Sequence, residues 1–400
     1  MAGAFHARGV RVVAVRIGGK PPERTPGLLP DAVPLAEVSR VLVTKLRHHG
    51  DVLLASPVFS TLKAVAPHVE VDALVYRETA PMLEGHPAVA RLHTIDRTWK
   101  REGPLRRLAA ERALARELAA RRYQLLVHLT EHPRGIALAR RLAPRYAVTT
   151  ERAPERGAAW LWRRHFTHFY KVPRGTERPM VEQNLDALRR IGIDPPDDAR
   201  RLVLVPGTEA EARVEAKLAA ASLQNRGYVH LHPGSRWFFK CWPPASVAAL
   251  VARLVDGGLP VLLTAAPDPR ERAMLDAIVS ALAPATRERV VDLGGELSLR
   301  ELAALAARAR LFVGVDSAPM HIASAVGTPV VAAFGPTSEV AWGPWRVPHR
   351  VVASSHPCRP CGQDGCGGGK VSECLTTLPV ERVHAAIAEL LDATAVGRLA

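Results

Sequence analysis

The chain has 400 residues, a formal net charge of +15 at pH 7, and 48% hydrophobic against 23% charged residues. This length fits two ordinary domains better than one, and the composition is that of a globular protein rather than a disordered chain. No run approaches the ~20 apolar residues that cross a bilayer, and the first residues lack the apolar core of a signal peptide. We therefore expect a cytoplasmic protein.

The positive charge comes mostly from arginine and favours anionic partners. Nucleic acid, an acidic membrane surface and a phosphorylated sugar lipid all meet this description. A GC-rich coding bias towards Arg and Ala would give the same charge without any such partner. Charge alone does not choose among these explanations.

The first half of the chain alternates predicted strands and helices. Residues 1–38 hold one short apolar stretch followed by glycines and prolines, which predicts a mobile extension. From 39 to 205, the alternation predicts a Rossmann-like domain with a parallel sheet. The predicted strands are 41–46, 69–75, 91–95 and 125–129. The predicted helices are 51–64, 105–122, 135–142 and 180–191, and Pro57 should kink or shorten the first of them.

Aromatic and basic side chains interleave from Trp160 to Tyr170. Platforms for single-stranded nucleic acid show this mixture, but no RNA-binding motif surrounds the segment. A partly exposed strand or helix that packs its aromatic side chains on the domain is the simpler interpretation.

The second half repeats the alternation after a break at Pro195-Pro196-Asp197-Asp198. Residues 206–378 therefore form a second predicted Rossmann-like domain, and residues 379–400 contain a last helix over 379–392. The predicted strands are 202–205, 228–232, 260–264, 289–292, 311–315 and 330–334. One predicted helix begins at 208. The others cover 244–255, 269–282, 299–308 and 319–325.

Two strand-to-helix connections carry the polar residues of greatest interest. The strand 41–46 continues into Arg47-His48-His49-Gly50-Asp51, and the strand 311–315 ends at Asp316-Ser317 before Pro319. Such connections place backbone N–H groups and a positive helix end at the carboxyl edge of a sheet, where a diphosphate binds. Their separation in the sequence predicts two Rossmann-like halves that face one cleft.

Other phosphate-binding signatures are missing from the sequence. There is no Gly-x-Gly-x-x-Gly and no Walker motif, which argues against a dinucleotide-dependent oxidoreductase and a P-loop NTPase. No Asp-x-Asp supports a catalytic divalent metal.

Three segments, 45–54, 232–242 and 316–337, resemble the family 9 glycosyltransferases, the heptosyltransferases of the lipopolysaccharide core. The first two segments are most similar to the heptosyltransferase III branch. The similarity lies in Lys-Leu-Arg-His-His-Gly-Asp of the first segment and in Ser-Arg-Trp and Phe-Lys-Cys-Trp of the second. The resemblance extends from residue 39 to the last helix. It implies a GT-B fold, in which two Rossmann-like domains face a central cleft and the last helix packs back toward the first domain.

The resemblance also implies the reaction and the partners. The expected donor is ADP-L-glycero-D-manno-heptose, and the expected acceptor is a heptose in the phosphorylated lipid A–core at the inner membrane face. An inverting transfer of this kind needs a base for the acceptor hydroxyl, positive groups for the leaving diphosphate and a site for the nucleotide. The expected protein is peripheral to the membrane, without a nucleic-acid partner and without a cofactor for catalysis.

Asp51 is the candidate catalytic base, because it follows a glycine at the first connection and matches the proposed catalytic aspartate in the family's Gly-Asp-Val pattern. The alternative is that Asp51 only caps the helix. His49, beside it, is the candidate acceptor contact, and we make no prediction for His48.

Lys240 is the candidate phosphate clamp, because an exposed lysine would be unusual between Phe239 and Cys241. Its ammonium group would offset the charge that develops on the diphosphate as the sugar leaves. Ser235 can add a hydroxyl donor. Arg236 is either a sugar or phosphate contact or a surface residue.

The second connection supplies the other nucleotide-sugar candidates. The N–H groups of Ser317 and Ala318 would bind the diphosphate. By resemblance, Asp316 contacts the heptose hydroxyls, His321 the phosphate or sugar side, and Glu271 the region of the nucleotide ribose. Helix capping would explain Asp316 alone, but not Asp316, Ser317 and His321 together.

Four cysteines cluster in a glycine-rich segment: Cys358, Cys361, Cys366 and Cys374. In a cytoplasmic protein, such a cluster is more typical of a metal site or free thiols than of structural disulfides, although a redox-formed disulfide stays open. The spacing is irregular for a zinc ribbon. The prediction is a possible structural zinc site, with His356 as a substitute ligand.

Three other functions stay open: another family 9 branch with a different acceptor, a non-catalytic protein associated with lipopolysaccharide, and a basic nucleic-acid-binding protein. The presence of Asp51, Lys240 and Asp316 speaks against the non-catalytic alternative.

Overall fold

The computed structural model describes residues 29–101, 103–153, 159–172 and 177–396, which form two parallel sheets of six strands each. The first sheet has the order β3-β2-β1-β4-β5-β6, and the second has the equivalent order β9-β8-β7-β10-β11-β12. In this doubly wound order, the crevice for a ligand lies outside the carboxyl ends of the two central strands. The predicted pair of Rossmann-like domains is confirmed.

The first domain contains the strands β1 (Arg40–Thr44), β2 (Glu70–Tyr76), β3 (Arg91–Ile95), β4 (Leu125–His128), β5 (Tyr146–Thr150) and β6 (His168–Tyr170). Its described α-helices are α1 (His49–Leu53), α2 (Ser56–Val65), α3 (Pro104–Ala120), α4 (Arg134–Leu142), α5 (Ala159–His165) and α6 (Met180–Arg189). Short 3₁₀ turns lie at Leu35–Glu37, Arg77–Met82, Arg97–Lys100 and Asp198–Arg200.

The second domain contains the strands β7 (Val229–His232), β8 (Val261–Leu263), β9 (Val290–Asp292), β10 (Leu311–Val315), β11 (Val330–Phe334) and β12 (His349–Ala353). Its α-helices are α7 (Thr208–Ala220), α8 (Pro244–Asp256), α9 (Pro269–Ser280), α10 (Pro284–Arg287), α11 (Leu299–Arg308), α12 (Ala318–Ala325), α13 (Glu339–Trp342), α14 (Glu373–Thr376) and α15 (Val380–Val396). Two further 3₁₀ turns lie at Phe238–Lys240 and Cys366–Gly368.

The central strands are buried on both faces, as parallel strands between two helix layers must be. In the first sheet, Val41 and Val43 pack on the face covered by α2 and α6, and Leu42 packs on the face covered by α3, α4 and α5. This alternation follows from the twofold period of a strand. It explains why continuous apolar runs in the sequence predict these strands.

Most differences from the predicted elements concern strands at the edges of the sheets and the connecting segments. The predicted strand 202–205 belongs to neither sheet, β5 and β12 were not predicted, and β6 lies in the segment 160–170, for which either a strand or a helix was expected. The predicted break near Pro57 is confirmed, because α1 ends at Leu53 and Pro57 lies in the first turn of α2, where its missing N–H costs no helix hydrogen bond.

The prediction of a mobile extension over 1–38 is wrong for its last part. Residues 1–28 lie outside the described residues, but Val33 and Val38 are buried in the core of the first domain. The Val33 N–H donates to the carbonyl of Ile191 at 3.0 Å. Burial of two valines explains why this segment is ordered: their apolar area is removed from water.

The last helix packs on the second domain, contrary to the prediction that it returns toward the first. Val383, Ala386, Ile387 and Leu390 of α15 belong to the core that also contains α8 and the second sheet. The physical reason is the apolar stripe of the helix, whose members recur at helical spacing and cover strands β11 and β12. The exact domain boundaries at 205 and 378 remain predictions.

The connection between the domains is held by side chains of the second domain. The Trp345 indole donates to the carbonyl of Arg200 at 2.7 Å, and the Arg346 guanidinium forms two hydrogen bonds with the Asp197 carboxylate. Among the described residues, no helix is long and apolar enough to cross a membrane.

Four buried histidines, His86, His128, His230 and His321, should make the fold sensitive to mild acid. Burial lowers the pKa of each from 6.5, to about 4 for His86 and His321 and about 3 for His128 and His230. Since the unfolded chain binds protons between pH 6.5 and these values and the folded chain does not, stability is lost as the pH falls below 6.5.

We expect the free energy of unfolding, measured by urea titration, to fall between pH 7 and pH 5 by up to about 2 kcal/mol per buried histidine. The pKa of Asp72 is lowered to about 2, so protonation of this carboxylate changes the free energy of unfolding only at lower pH. It does not add to the change between pH 7 and pH 5. An unfolding midpoint that is equal at pH 7 and pH 5 would contradict the prediction.

Candidate functional site

Asp51 lies in the short helix α1, directly after the carboxyl end of β1. The N-cap of α1 is His48, and Asp51 is the third helical residue, so the alternative of a helix cap is wrong. Among the described residues, its carboxylate accepts no hydrogen bond, and its cationic neighbour is Arg47 at 3.8 Å. The carboxylate is only 13% exposed, so it is available for a proton yet partly shielded from water.

The helix α12 begins at the carboxyl end of β10, in the second domain. Its N-cap, Ser317, makes no side-chain capping bond, and Pro319 occupies the first turn. Pro319 has no N–H and the Met320 N–H donates to the Ser317 carbonyl at 3.2 Å, so the N–H groups of Ser317 and Ala318 are the candidates for binding an anion, and the helix dipole favours negative charge there.

The two connections meet at Gly50. A Cβ placed on Gly50 would lie 3.1 Å from Cδ2 of His321 and 3.9 Å from Cα of Ala318. Even an alanine Cβ would require the His321 ring to shift by a few tenths of an ångström, so glycine eases this close approach between the domains. The base candidate, next to Gly50, therefore lies beside the helix start that is the candidate diphosphate site.

His321 is the buried centre of this contact. Burial lowers its pKa to about 4, the charges of Asp316 and Asp51 oppose this shift, and Lys240 adds to it. The imidazole is consequently neutral at physiological pH. Its Nδ1 has no hydrogen-bond partner among the described residues, and an unpaired buried polar atom is costly unless a ligand satisfies it.

Lys240 lies in the second domain, in the 3₁₀ turn that follows β7, and forms an ion pair with Asp316. Its Nζ donates to Oδ2 of Asp316 at 2.7 Å, and the Thr337 hydroxyl donates to the same oxygen at 2.6 Å. The exposed fractions are 17% for the lysine side chain and 5% for the aspartate. The sequence therefore identified two residues that touch, but it missed Thr337, whose position three residues after the end of β11, at the same edge of the sheet as Asp316, could have suggested it.

Ser235 and Glu271 lie at the loop that follows β7. Ser235 is buried, and its hydroxyl accepts the N–H of Trp237 at 3.3 Å. The Glu271 carboxylate accepts the N–H of Ala266 at 2.9 Å and lies so close to Gly234 that a Cβ there would be 2.5 Å from Oε2.

The pKa of Glu271 is lowered even though burial, the largest influence, acts to raise it. The His232 imidazole, 3.5 Å from its carboxylate, and the Ala266 N–H outweigh burial. Glu271 thus remains an anion beneath the loop and fixes the Gly234 turn. Contact with a ribose remains a prediction.

His48 and His49 have different environments. Nε2 of His49 donates to the carbonyl of Glu78 at 2.7 Å, and burial lowers the pKa of this histidine. His48 accepts a hydrogen bond from Arg236 at 2.9 Å, and its ring contacts Trp237 edge-on. Arg236 is therefore a contact between the domains, and His48, for which no prediction was made, faces the cleft more directly than His49.

A cavity of about 230 Å³ opens in the first domain beside these residues, and we call it the arginine cavity. It is lined by Leu46, Arg47, His48, Tyr76, Ile95, Asp96, Arg97, Trp99, Arg107, Glu111, His132 and Arg134. These residues follow the carboxyl ends of β1 to β4 or begin α3 and α4. The sequence gives no signal for this cavity, because its residues come from four separate connections.

Charged pairs shape the arginine cavity. Arg134 binds the Glu111 carboxylate through two hydrogen bonds of 2.7 Å each, which joins α4 to α3. Arg97 lies 4.8 Å above the Tyr76 ring and 3.3 Å from the Glu78 carboxylate. With four arginines against two carboxylates in its lining, the cavity favours an anionic or hydroxyl-rich ligand.

The four clustered cysteines are free thiols in the structure, three exposed and Cys374 buried. Within the described residues, no group of three or more His, Cys, Asp or Glu side chains is placed to hold a metal ion. The predicted zinc site therefore receives no support. The Cys366 sulphur instead accepts the N–H of Glu373 at 3.4 Å, and Cys374 lies against Gly335.

The aromatic segment 160–170 forms α5 and β6. Trp162 is buried, and its indole donates to the carbonyl of Thr150 at 2.8 Å. The expectation that aromatic side chains of this segment pack on the domain is confirmed for Trp162 and Phe166, whereas Trp160 remains 67% exposed.

Comparisons with known proteins agree with one another. Residues 111–371 match the profile of glycosyltransferase family 9 (heptosyltransferase). Lipopolysaccharide heptosyltransferase 3 of Escherichia coli is 34% identical over 300 residues, which is 75% of this chain and 84% of that protein. Lipopolysaccharide heptosyltransferase 1 of Pseudomonas aeruginosa is 27% identical over 330 residues, 82% of this chain and 87% of that protein.

Solved structures share the fold. The glycosyl transferase family 9 structure from Veillonella parvula aligns with a TM-score of 0.76 at 22% identity, covering 90% of this chain and 99% of the other. An E. coli heptosyltransferase solved with ADP-2-deoxy-2-fluoro heptose aligns with a TM-score of 0.65 at 21% identity, covering 88% and 99%. The GT-B arrangement of two domains is thereby confirmed.

Proposed function

This chain belongs to glycosyltransferase family 9, and we propose that it transfers heptose from ADP-L-glycero-D-manno-heptose to a heptose of the lipopolysaccharide inner core, with inversion. The observation that carries the proposal is the contact at Gly50, where the Asp51 helix of one domain meets the start of α12 in the other. Proton acceptor and anion site thus border one cleft. The solved relative with an ADP-heptose analogue supports the donor.

The second domain would hold the donor. The N–H groups of Ser317 and Ala318 and the Lys240 ammonium group bind the diphosphate, and Lys240 exchanges part of its interaction with Asp316 for the phosphate oxygens. As the bond between the anomeric carbon and the diphosphate breaks, negative charge grows on the leaving oxygen. Positive charge fixed beside that oxygen lowers the barrier. Heptosyltransferases need no cofactor for catalysis.

The first domain would hold the acceptor and supply the base. An acceptor hydroxyl oxygen attacks the anomeric carbon from the side opposite the diphosphate, and Asp51 takes the proton of that hydroxyl. A single displacement of this kind inverts the anomeric centre. His321, neutral because of burial, can donate or accept one hydrogen bond toward the sugar or phosphate through its unpaired Nδ1.

The arginine cavity is the proposed acceptor site. Arg47 lines this cavity and also lies 3.8 Å from Asp51, which links the cavity to the base. The positive lining fits the phosphorylated lipid A–core, and the aromatic side chains of Tyr76 and Trp99 add apolar surface that sugar rings can contact. Similarity to heptosyltransferase 3 supports a heptose of the inner core as the residue that is extended.

The proposed location follows from the acceptor. Since the lipid A–core is anchored in the inner membrane, the enzyme works at the cytoplasmic face of that membrane as a peripheral protein. Zinc binding by the cysteines of residues 358–374 is not part of the proposal, because no group of three or more ligands among the described residues is placed to hold a metal ion.

A product assay tests the proposal. The purified protein is incubated with ADP-heptose and a set of defined core oligosaccharides, each with or without phosphate, and the products are measured by mass spectrometry. We expect the mass of one heptose to be added to an acceptor that already carries heptose, together with release of ADP. No added heptose on any core acceptor would reject the proposal, and transfer only to a different class of acceptor would assign the chain to another branch.

A further inference from the structure

Large apolar side chains are exposed at one corner of the first domain. Of the nine that the described residues expose, four lie on α3 and α5. Leu105 is 81% exposed, Leu108 45%, Trp160 67% and Leu161 38%. Isolated exposed apolar residues are ordinary, but two exposed pairs, one near the start of each helix, indicate an interaction surface. We call it the α3–α5 corner.

The fold brings these residues to the same corner. Helices α3, α4 and α5 all pack on one face of the first sheet, in a core that includes Leu118, Ala139 and Phe166. The helix α4 lies between the other two and contacts both. Since packed helices are 8–10 Å apart, α3 and α5 are roughly 20 Å apart.

Both helices also begin at the carboxyl edge of the sheet. Trp162, near the start of α5, donates to the carbonyl of Thr150, the last residue of β5. Arg107 and Glu111, in the first turns of α3, line the arginine cavity beyond the end of β3. Leu105 and Leu108 therefore lie beside the arginine cavity, and Trp160 and Leu161 lie at the same edge of the sheet.

The charge around the corner is positive. Six exposed arginines lie on or next to the first turns of the two helices: Arg101, Arg106, Arg107, Arg112, Arg163 and Arg164. The Arg164 guanidinium lies 5.5 Å above the Trp160 ring. The nearby carboxylate of Glu111 is already bound to Arg134.

This combination identifies the chemistry of the partner. The core of a protein–protein interface is depleted of charged residues, whereas here arginines alternate with the apolar side chains. Leucine and tryptophan that enter the headgroup region, with arginines against lipid phosphates, are typical of proteins that lie on an anionic bilayer. The observations favour a lipid surface over a second copy of the chain.

We propose that the α3–α5 corner docks on an anionic bilayer, with Leu105, Leu108, Trp160 and Leu161 inserted among the headgroups. Docking in this orientation presents the arginine cavity to a lipid-anchored acceptor. The inference rests on the proposed function in one respect: docking is useful to the enzyme because its acceptor is anchored in the membrane. The vesicle-binding measurement itself requires neither donor nor acceptor.

Sedimentation with vesicles tests the docking. The full chain should bind vesicles of phosphatidylglycerol and phosphatidylethanolamine, and should bind phosphatidylcholine vesicles at least about tenfold more weakly. The double variant Leu105→Ser/Trp160→Ser should lose at least about tenfold in affinity for the anionic vesicles. Its matched control is Val65→Ser/Val340→Ser, which changes two exposed valines elsewhere and should bind like the unchanged protein.

Charge-reversal variants measure the electrostatic contribution of the α3–α5 corner to vesicle binding. Arg106→Glu/Arg163→Glu should bind anionic vesicles at least about tenfold more weakly, whereas Arg201→Glu/Arg289→Glu, with the same change in net charge on exposed residues away from the corner, should lose much less. Equal losses in the two variants would mean that overall charge, not this corner, attracts the membrane, and would overturn the proposal.

Activity distinguishes this proposal from the function itself. Leu105→Ser/Trp160→Ser should extend a delipidated core oligosaccharide at the normal rate and a vesicle-embedded acceptor much more slowly. Normal extension of the embedded acceptor would overturn the docking proposal and leave the function intact. A dimer in solution that becomes monomeric in this variant, without vesicle binding by the unchanged protein, would assign the corner to a second copy.

Discussion

Asp51→Ala should abolish heptose transfer while ADP-heptose binding persists. A positioned general base contributes roughly 10²–10⁴-fold to a rate, so we expect turnover to fall by about that factor in single-turnover assays. The donor-binding candidates Lys240, Asp316 and His321 all belong to the second domain, whereas Asp51 belongs to the first. The dissociation constant for ADP-heptose, measured by calorimetry, should therefore change little.

Asp51→Asn is a stricter test than Asp51→Ala, because the side chain keeps its shape and loses only its ability to accept the proton. Its matched control is Asp256→Asn, an exposed aspartate at the end of α8, which should retain full activity. Turnover of Asp51→Asn within a few-fold of the unchanged protein would remove Asp51 as the base. Loss of ADP-heptose binding in the same variant would point to a structural role instead.

Lys240→Ala should weaken ADP binding and slow transfer together. The lysine would contact the diphosphate both before and during departure of the sugar, so part of its contribution appears as affinity and part as rate. We expect ADP affinity to fall roughly 10- to 100-fold, the range for a lost charge-assisted hydrogen bond, and turnover to fall further. Calorimetry with ADP and initial rates with ADP-heptose measure the two effects.

The ion pair with Asp316 adds a complication that a second variant resolves. Removing Lys240 leaves the 5% exposed Asp316 carboxylate without its cation, and Asp316→Asn restores neutrality at that place. If Lys240 binds phosphate, the double variant stays defective in ADP binding; recovery of normal affinity would mean that the lysine only balances Asp316. Lys217→Ala, which breaks a surface pair with Glu296, is the matched lysine control.

The sequence predicted the central parts of the fold well, because those parts are determined by local pattern. The strands around Leu42 and Val313 are continuous apolar runs that end in polar residues, and their positions follow from that contrast alone. The edge strand β12 is only partly buried, and its apolar signal is correspondingly weak, whereas β6 is buried at two of its three residues but is too short to show a strand period. The segment 202–205 shows the alternation of a strand because Leu202 and Leu204 pack on the core of the first domain, although the segment belongs to neither sheet.

The candidate site was predicted residue by residue but not as an arrangement. Motif order indicated Lys240 and Asp316 separately, and only the folded chain joins them in an ion pair. The contact of Gly50 with His321 depends on how the two domains pack, for which a single sequence carries no direct signal. The arginine cavity was even harder to predict than the contact at Gly50, because each of its walls comes from a different loop.

The division of labour between the domains has an evolutionary consequence. The residues proposed to hold ADP-heptose follow strands of the second sheet, and the arginine cavity belongs wholly to the first domain. Mutations in one domain can therefore diversify which sugar is extended without disturbing recognition of the activated donor. Exchanging whole amino-terminal domains between relatives is the corresponding route for engineering new core oligosaccharides, with Gly50 as the junction that every chimera must keep small.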